Sequence, residues 1–236
     1  MNDIKIKICG LMREKDVESC IRNGVDIVGF VTEYPVEVPW NMDRKRTKEL
    51  ITFFRETRER YGSSAKCCIV SGGDSDKLSG LIEELEPDYL QMHYKEDCRI
   101  IREVTGRKDA SKTVVIKTVP NEAAERIRQS GNEEPSAAAA AFAESGAGII
   151  LVDARGAENA AGSSAKLDEK LYNEVKEAVD IPVMAAGGIT AENVKSIIND
   201  LSPDMIDVMT GVEESTGVKS EAKIEKLIQQ IKVRKE

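Results

Sequence analysis

Eight strand patterns alternating with helix patterns along the chain predict an α/β fold, a single (β/α)8 TIM barrel spanning 1–236. Three observations carry that expectation. The 236-residue length is close to the about 250 residues of a typical α/β barrel. Strand follows helix follows strand from one end to the other, the order that builds a parallel sheet. No linker or shift of composition marks a second domain. The competing architecture, a doubly wound open sheet, needs a glycine fingerprint in its first turn, and Gly10-Leu11-Met12-Arg13 does not supply one.

Lys5-Ile6-Lys7-Ile8-Cys9-Gly10 alternates as a strand within Ile4 to Cys9. Glu14 to Arg22 reads as a helix with Val17 and Ile21 at i, i+4, and Asn23-Gly24 stops it. Asp26 to Val31 is a buried-strand run, followed by a polar loop from Thr32 to Asp43 and a charged helix from Arg44 to Arg60. Ala65 to Val70 is β-rich, Asp74 is placed to cap a helix ending near Glu84, and Pro87 closes that unit. Asp88 to Met92 forms a short strand ending at His93, with a helix from Glu96 to Val104. Thr113 to Val119 is a strand that Pro120 terminates. The stretch from Asn121 to Ser145 breaks at Gly131 to Pro135 and resumes as an alanine-rich helix over Ser136 to Ala143. Gly148 to Asp153 is an apolar strand ending in a carboxylate, so it repeats the layout of the strand that ends at Cys9. Ala154 to Lys166 is a small-residue loop too long for a plain connector. Leu167 to Val179 is helical and Ile181 to Ala186 a strand; Gly187-Gly188-Ile189-Thr190 then leads into a helix from Ala191 to Asn199 with Thr190 as its N-cap. Asp204 to Met209 is the last strand, Thr210 to Glu213 turns, and Lys219 to Lys232 closes with Ile224, Leu227, Ile228 and Ile231 on one face.

Composition narrows the function classes. Hydrophobic residues make up 41% and charged residues 32%, with no apolar run near the roughly 20 residues of a membrane-spanning helix. A soluble chain is expected. The start, Met1-Asn2-Asp3 followed at once by a strand, lacks a secretory signal, so the expected location is cytoplasmic. Five scattered cysteines without C-x-x-C spacing and a single histidine point to reduced thiols and no zinc site. A net charge of -8 argues against nucleic acid as partner. A small phosphorylated molecule remains compatible, because backbone N–H groups at helix starts bind phosphate whatever the overall charge. Monomer and homodimer both fit the sequence.

In such barrels the chemistry sits where strands end at the C-terminal face. The residues so placed are Cys9, Thr32, His93, Thr118, Asp153, the pair Gly187-Gly188, and Gly211. Glycine turns after the seventh and eighth strands match the usual phosphate site of a barrel, although each glycine also serves a tight turn. Cys9 and Asp153, on different sides of the rim, are placed to divide general base and general acid roles. A cysteine on a strand taken alone is more often core, and an Asp after a strand often starts a turn. His93 is placed to orient a ligand or loop, or to move protons. Lys117 has the residue type of a Schiff-base lysine, but alternation does not fix the way it points. Trp40 either caps an aromatic substrate or packs.

Taken together, Lys7-Ile8-Cys9-Gly10-Leu11, Val25 to Val31, Leu90-Gln91-Met92-His93, Leu151-Val152-Asp153, Ala185 to Val194, Asp207 to Glu213 and Gly217-Val218-Lys219 resemble the phosphoribosylanthranilate isomerase family. The resemblance runs through nearly the whole chain. It implies an Amadori rearrangement in tryptophan biosynthesis, from N-(5'-phosphoribosyl)anthranilate to the open-chain aminoketose, without cofactor or metal. By that resemblance Asp153 is the general acid that opens the ribose ring and Cys9 the general base that removes the C2 proton, while His93, Gly187, Gly188, Thr210 and Gly211 hold the substrate and its phosphate. Neighbouring helix N-termini are expected to lower the thiol pKa. The chain departs from the family at four places, one of them the Gly-Gly-Thr-Gly-like loop after Asp153, which appears only loosely as Gly162-Ser163-Ser164-Ala165-Lys166. Family members carry an arginine for the anthranilate carboxylate in the loop after the second strand, where this sequence has Glu37-Val38-Pro39-Trp40-Asn41, with arginines only at Arg44 and Arg46. Tyr94 stands where glycine is common, and Met209-Thr210 replaces two serines. Alternatives are therefore a barrel isomerase acting on another phosphosugar, or a barrel that binds a phosphorylated metabolite without turnover.

Overall fold

A computed structural model describes residues 4–154 and 167–232. Eight parallel strands, β1 (Lys5–Ile8), β2 (Ile27–Val31), β3 (Lys66–Ser71), β4 (Tyr89–Met92), β5 (Val114–Val119), β6 (Ile149–Asp153), β7 (Val183–Ala186) and β8 (Met205–Val208), close into a barrel in sequence order. Closure is made by β8 returning beside β1, with Lys7 opposite Asp207 in the register. Around it run α1 (Glu14–Arg22), α2 (Arg44–Arg60), α3 (Ser75–Leu85), α4 (Cys98–Thr105), α5 (Ala123–Ser130), α6 (Pro135–Glu144), α7 (Glu169–Ala178), α8 (Val194–Leu201) and α9 (Glu221–Lys232).

Strand alternation sorts the core into two layers. Ile6, Ile8, Val28 and Phe30 face outward and pack with helix residues such as Val17, Leu50 and Phe54. Cys9, Ile27, Cys68, Ile116, Leu151, Met184 and Met205 belong to a separate inner cluster that fills the barrel. On β1 this places Ile6 and Ile8 outside, and Lys7 and Cys9 inside.

Several helices begin where an aspartate accepts a bond from the first turn. Asp43 accepts from Arg46 N–H, Asp74 from Lys77 N–H, Asp97 from Ile100 N–H and Asp168 from Leu171 N–H. Each such cap is worth about 1 kcal/mol. Because Asp97 is the cap, α4 starts at Cys98 and not at Glu96, whose carboxylate is drawn inward instead. Thr190 is likewise not the N-cap of α8, which starts at Val194 after Asn193. Thr190 N–H donates to Asn193 Oδ1 and its hydroxyl accepts from Glu192 N–H, so the side chain shapes the preceding turn. The turn expected at Thr210 to Glu213 is a short 3-10 helix, Thr210–Val212, running into a hairpin of β9 (Glu213–Ser215) and β10 (Val218–Lys219). Lys219 is therefore a strand residue, and α9 begins two positions later. The loop of small residues after Ala154 lies outside the described residues.

Candidate active site

Cys9 follows β1 directly and is 4% exposed. It fits because β2 carries Gly29 beside it: a Cβ there would lie 2.9 Å from Cys9 Sγ. Gly10, with φ of +72°, makes the turn, and a Cβ on it would meet Met209 Cε at 2.7 Å and Trp40 Cδ1 at 3.0 Å. Trp40 is buried and donates from Nε1 to Glu213 Oε1 at 2.7 Å. Of the two roles open to it, packing is the one it takes, as a cover over the turn after Cys9.

Beneath Cys9 on the same strand face lies Lys7, wholly buried, with Nζ 2.8 Å from Asp207 Oδ2. Burial pushes the Cys9 thiol up; the Lys7 ammonium opposes it through charge and a hydrogen bond, Asp207 adds to the rise, and Lys219 opposes it. α1 begins only at Glu14, and the first side-chain counterweight to burial is Lys7. Burial works against the charge on Lys7 too, but Asp207, aided by Cys9 and Cys68, holds it above the ordinary lysine range.

Asp153 ends β6 and is 6% exposed. From β6 to β1 the rim passes β7 and β8, so Cys9 and Asp153 lie on different sides of the mouth with the turns after β7 and β8 between them. Asp153 meets the lone histidine: His93 Nε2 is 3.8 Å from Asp153 Oδ2. The other ring nitrogen, Nδ1, is 2.8 Å from Thr118 Oγ1 and 3.3 Å from Gln91 Nε2. These contacts fix the ring across the ends of β4, β5 and β6.

The glycine turns occupy the arc between Asp153 and Cys9. Gly187 and Gly188 have φ of +106° and +63°, in the left-handed region that glycine enters without steric cost. Asn193 staples this turn, donating to the Gly188 carbonyl at 2.8 Å while accepting from Thr190 N–H. A Cβ on Gly211 would sit 1.9 Å from the Ile189 carbonyl oxygen, so the turns after β7 and β8 touch backbone to backbone. Thr210, beside it, is exposed. Two adjoining backbone turns beside the start of α8 form the kind of neutral cradle that takes a phosphate.

On the β2 to β4 side the wall is aromatic. Tyr34 and Tyr94 meet edge to face at 6.0 Å, Tyr34 Oη donates to the His93 carbonyl at 2.9 Å, and Lys95 Nζ lies 5.3 Å from the Tyr94 ring centre. Arg44 is bound to Glu33 and Glu84, and Arg46 to Glu14, Glu49 and the Met12 carbonyl. Lys117 turns outward, away from the mouth, to Glu96 and the Phe142 ring. It is excluded as a Schiff-base lysine of this site. Among the described residues no group of three or more His, Cys, Asp or Glu is placed to hold a metal.

Lys7 and Asp207 are the site residues that strand-end reasoning passes over, because both lie one layer inside the rim. The signal was present: a lysine two positions before Cys9 shares its strand face.

The fold and rim define a (β/α)8 barrel with a thiol and a carboxylate on one arc of its C-terminal mouth and a glycine-built cradle between them. The chain belongs to the N-(5'phosphoribosyl)anthranilate (PRA) isomerase family, whose model matches residues 6–230. It is 33% identical over 217 residues to an N-(5'-phosphoribosyl)anthranilate isomerase of Nitrobacter winogradskyi, covering 91% of this chain and 86% of that one. Its fold matches a crystal structure of phosphoribosyl anthranilate isomerase from Thermotoga maritima with a TM-score of 0.75 and 23% identity, over 97% of this chain and 98% of that one. A further solved structure, of phosphoribosyl anthranilate isomerase in complex with reduced 1-(o-carboxyphenylamino)-1-deoxyribulose 5-phosphate, matches with a TM-score of 0.73 and 22% identity over 97% and 98% of the two chains.

Proposed function

We propose that this chain, as a single domain over 1–236, isomerises N-(5'-phosphoribosyl)anthranilate in tryptophan biosynthesis, with Asp153 as general acid and Cys9 as general base. The observation that carries the reading is the arc itself: a carboxyl, two abutting glycine turns and a thiol follow one another at the ends of β6, β7, β8 and β1. A phosphate seated between the acid and the base fixes the ribose across both.

Asp153 gives its proton to the ring oxygen as the C1–O bond breaks, and the amine lone pair forms the C=N bond of an open Schiff base. The Cys9 thiolate takes the C2 proton, leaving an enolamine that tautomerises to the aminoketose. One proton given and one taken leave the overall change an isomerisation. His93 orients the Asp153 carboxyl. Backbone N–H groups of the turns at Gly187, Gly188, Thr210 and Gly211 and the start of α8 hold the phosphate without any side-chain charge. The aromatic end lies on the Tyr34 and Tyr94 wall, while Arg44 and Arg46 are engaged by acidic partners. The expected cell compartment is the cytoplasm.

The test is a steady-state fluorescence assay with N-(5'-phosphoribosyl)anthranilate. Turnover to the carboxyphenylamino-deoxyribulose phosphate is the expected result; binding without turnover, or preference for another phosphosugar, overturns the reading.

A further inference from the structure

We infer that Lys7, Asp207 and Cys9 form a charge-ordered triad inside the barrel, in which Asp207 anchors the Lys7 ammonium and that ammonium is the counter-ion of the Cys9 thiolate. This rests on the reading of Cys9 as the base.

Lys7 and Cys9 share the inner face of β1, and both lie against the one place on β2 that has no side chain. A Cβ on Gly29 would be 2.9 Å from Cys9 Sγ and 3.2 Å from Lys7 Cε. The space that admits the thiol is thus the space that admits the lysine stem. Lys7 Nζ donates to Asp207 Oδ2 at 2.8 Å, and two of its three protons remain for other partners. Asp207 also holds something back: among the described residues, Oδ1 is buried without a hydrogen-bond partner. The pair is therefore not a closed, two-oxygen salt bridge. The cluster that fills the barrel on this inner face includes Ile27, Met184 and Met205. In such surroundings an ion pair adds little to stability relative to well-packed apolar side chains. A role for the charge explains better why it is there.

The charged and titratable groups that bear on Cys9 are few. Lys7 comes from β1, Asp207 from β8 and Lys219 from β10; Cys68, on β3, is coupled to Cys9 and is itself pushed up by burial. Lys219 is already bound to Glu213 Oε1 at 2.9 Å and the Met209 carbonyl at 3.0 Å. Lys7, which shares the Gly29 gap with the thiol, is accordingly the cation set beside Cys9 on its own strand face. The logic is that of a nucleophile or base paired with a cation that a carboxylate orients. The proton balance is simple. Cys9 loses its proton to solvent, Lys7 keeps its own throughout, the thiolate accepts the substrate C2 proton, and the thiol then returns that proton to solvent. Lys7 is a positioning residue, since it acts through Cys9 and does not touch the substrate.

The experiment is a pH titration of thiolate ultraviolet absorbance, taken as the difference between a protein and the same protein with Cys9→Ser, alongside pH profiles of kcat and KM. K7M is expected to move the Cys9 titration and the acid limb of kcat upward together by at least about one pH unit, so that kcat near neutral pH falls about tenfold while KM stays nearly constant. K7R keeps the charge and restores both towards the parent. Should K7M fail to fold because it strands Asp207, the double variant K7M/D207N leaves no lone buried charge and is expected to shift in the same direction. A folded K7M or K7M/D207N whose Cys9 titration coincides with the parent's overturns the triad. The absorbance titration needs no substrate. A shifted titration in a chain that turns over no phosphoribosylanthranilate would defeat the functional reading alone, and an unshifted one in an active enzyme would defeat this inference alone.

Discussion

Lys7 and Lys117 are the same residue in almost the same setting, yet the barrel uses them in opposite ways. Both sit within a barrel strand, both have side chains at 0% exposure, and both face a carboxylate, at 2.8 Å for Asp207 and 3.4 Å for Glu96. The pleat makes the difference. β1 turns Lys7 into the barrel beneath Cys9, whereas β5 turns Lys117 out towards α6, where its ammonium lies 5.4 Å from the Phe142 ring centre. Burial lowers Lys117 below the ordinary lysine range despite Glu96, while Asp207 and the two thiols outweigh burial and hold Lys7 above it. Glu96 also accepts from Gly73 N–H and Tyr94 N–H, so the outer pair ties the turns after β3 and β4 to β5. An inward lysine serves the chemistry, and an outward one braces the loops that carry it.

The comparison can be broken at the outer pair. Lys117→Met leaves the Glu96 carboxylate buried with two backbone donors and no counter-ion, at an expected cost of about 3 kcal/mol in urea denaturation. The kcat per folded molecule should stay within about twofold, because binding and catalysis use other groups. A loss of kcat as large as that of an inward lysine would erase the distinction drawn here. On the rim, Gly211→Ala drives a methyl against the Ile189 carbonyl oxygen. Loss of one or more phosphate hydrogen bonds worth about 1.5–3 kcal/mol raises KM about tenfold or more; an unchanged KM would place the phosphate elsewhere.

The smallest effect is in pH dependence. Because Lys117 is lowered in the folded protein, the unfolded chain binds its proton more tightly, and stability rises with pH from the native pKa up to the ordinary lysine value of 10.5. Cys9, Cys67 and Cys68 act in the reverse sense: each is raised by burial, so their contribution is full below about 9 and is lost as pH climbs above it. Denaturation of the parent and of Lys117→Met across this range should therefore diverge in the parent's favour as pH increases. Parallel curves would mean that Lys117 does not change its proton affinity on folding.

Much of this was legible in the chain. The alternation of strands and helices gives the barrel, and α1 and α2 run where the sequence places them, because Asn23-Gly24 and Asp43 are strong local signals. Cys9, His93 and Asp153 are legible because strand ends line a barrel mouth. The start of α8 was not, since Thr190 has the chemistry of a cap but is held one turn early by the Asn193 side chain. The packing of Trp40 depends on Glu213, far along the chain, and no local pattern announces it. The opposite facing of Lys7 and Lys117 is a matter of strand register, which closure of the barrel fixes and an isolated strand pattern does not.

The central claim is that Cys9 takes the substrate proton. Its most direct measurement is kcat for Cys9→Ala on phosphoribosylanthranilate, with folding verified by circular dichroism. Removal of a general base should lower kcat by about 10²–10⁴ with KM little changed, whereas a Cys9→Ala protein that turns over at the parent rate would contradict the account.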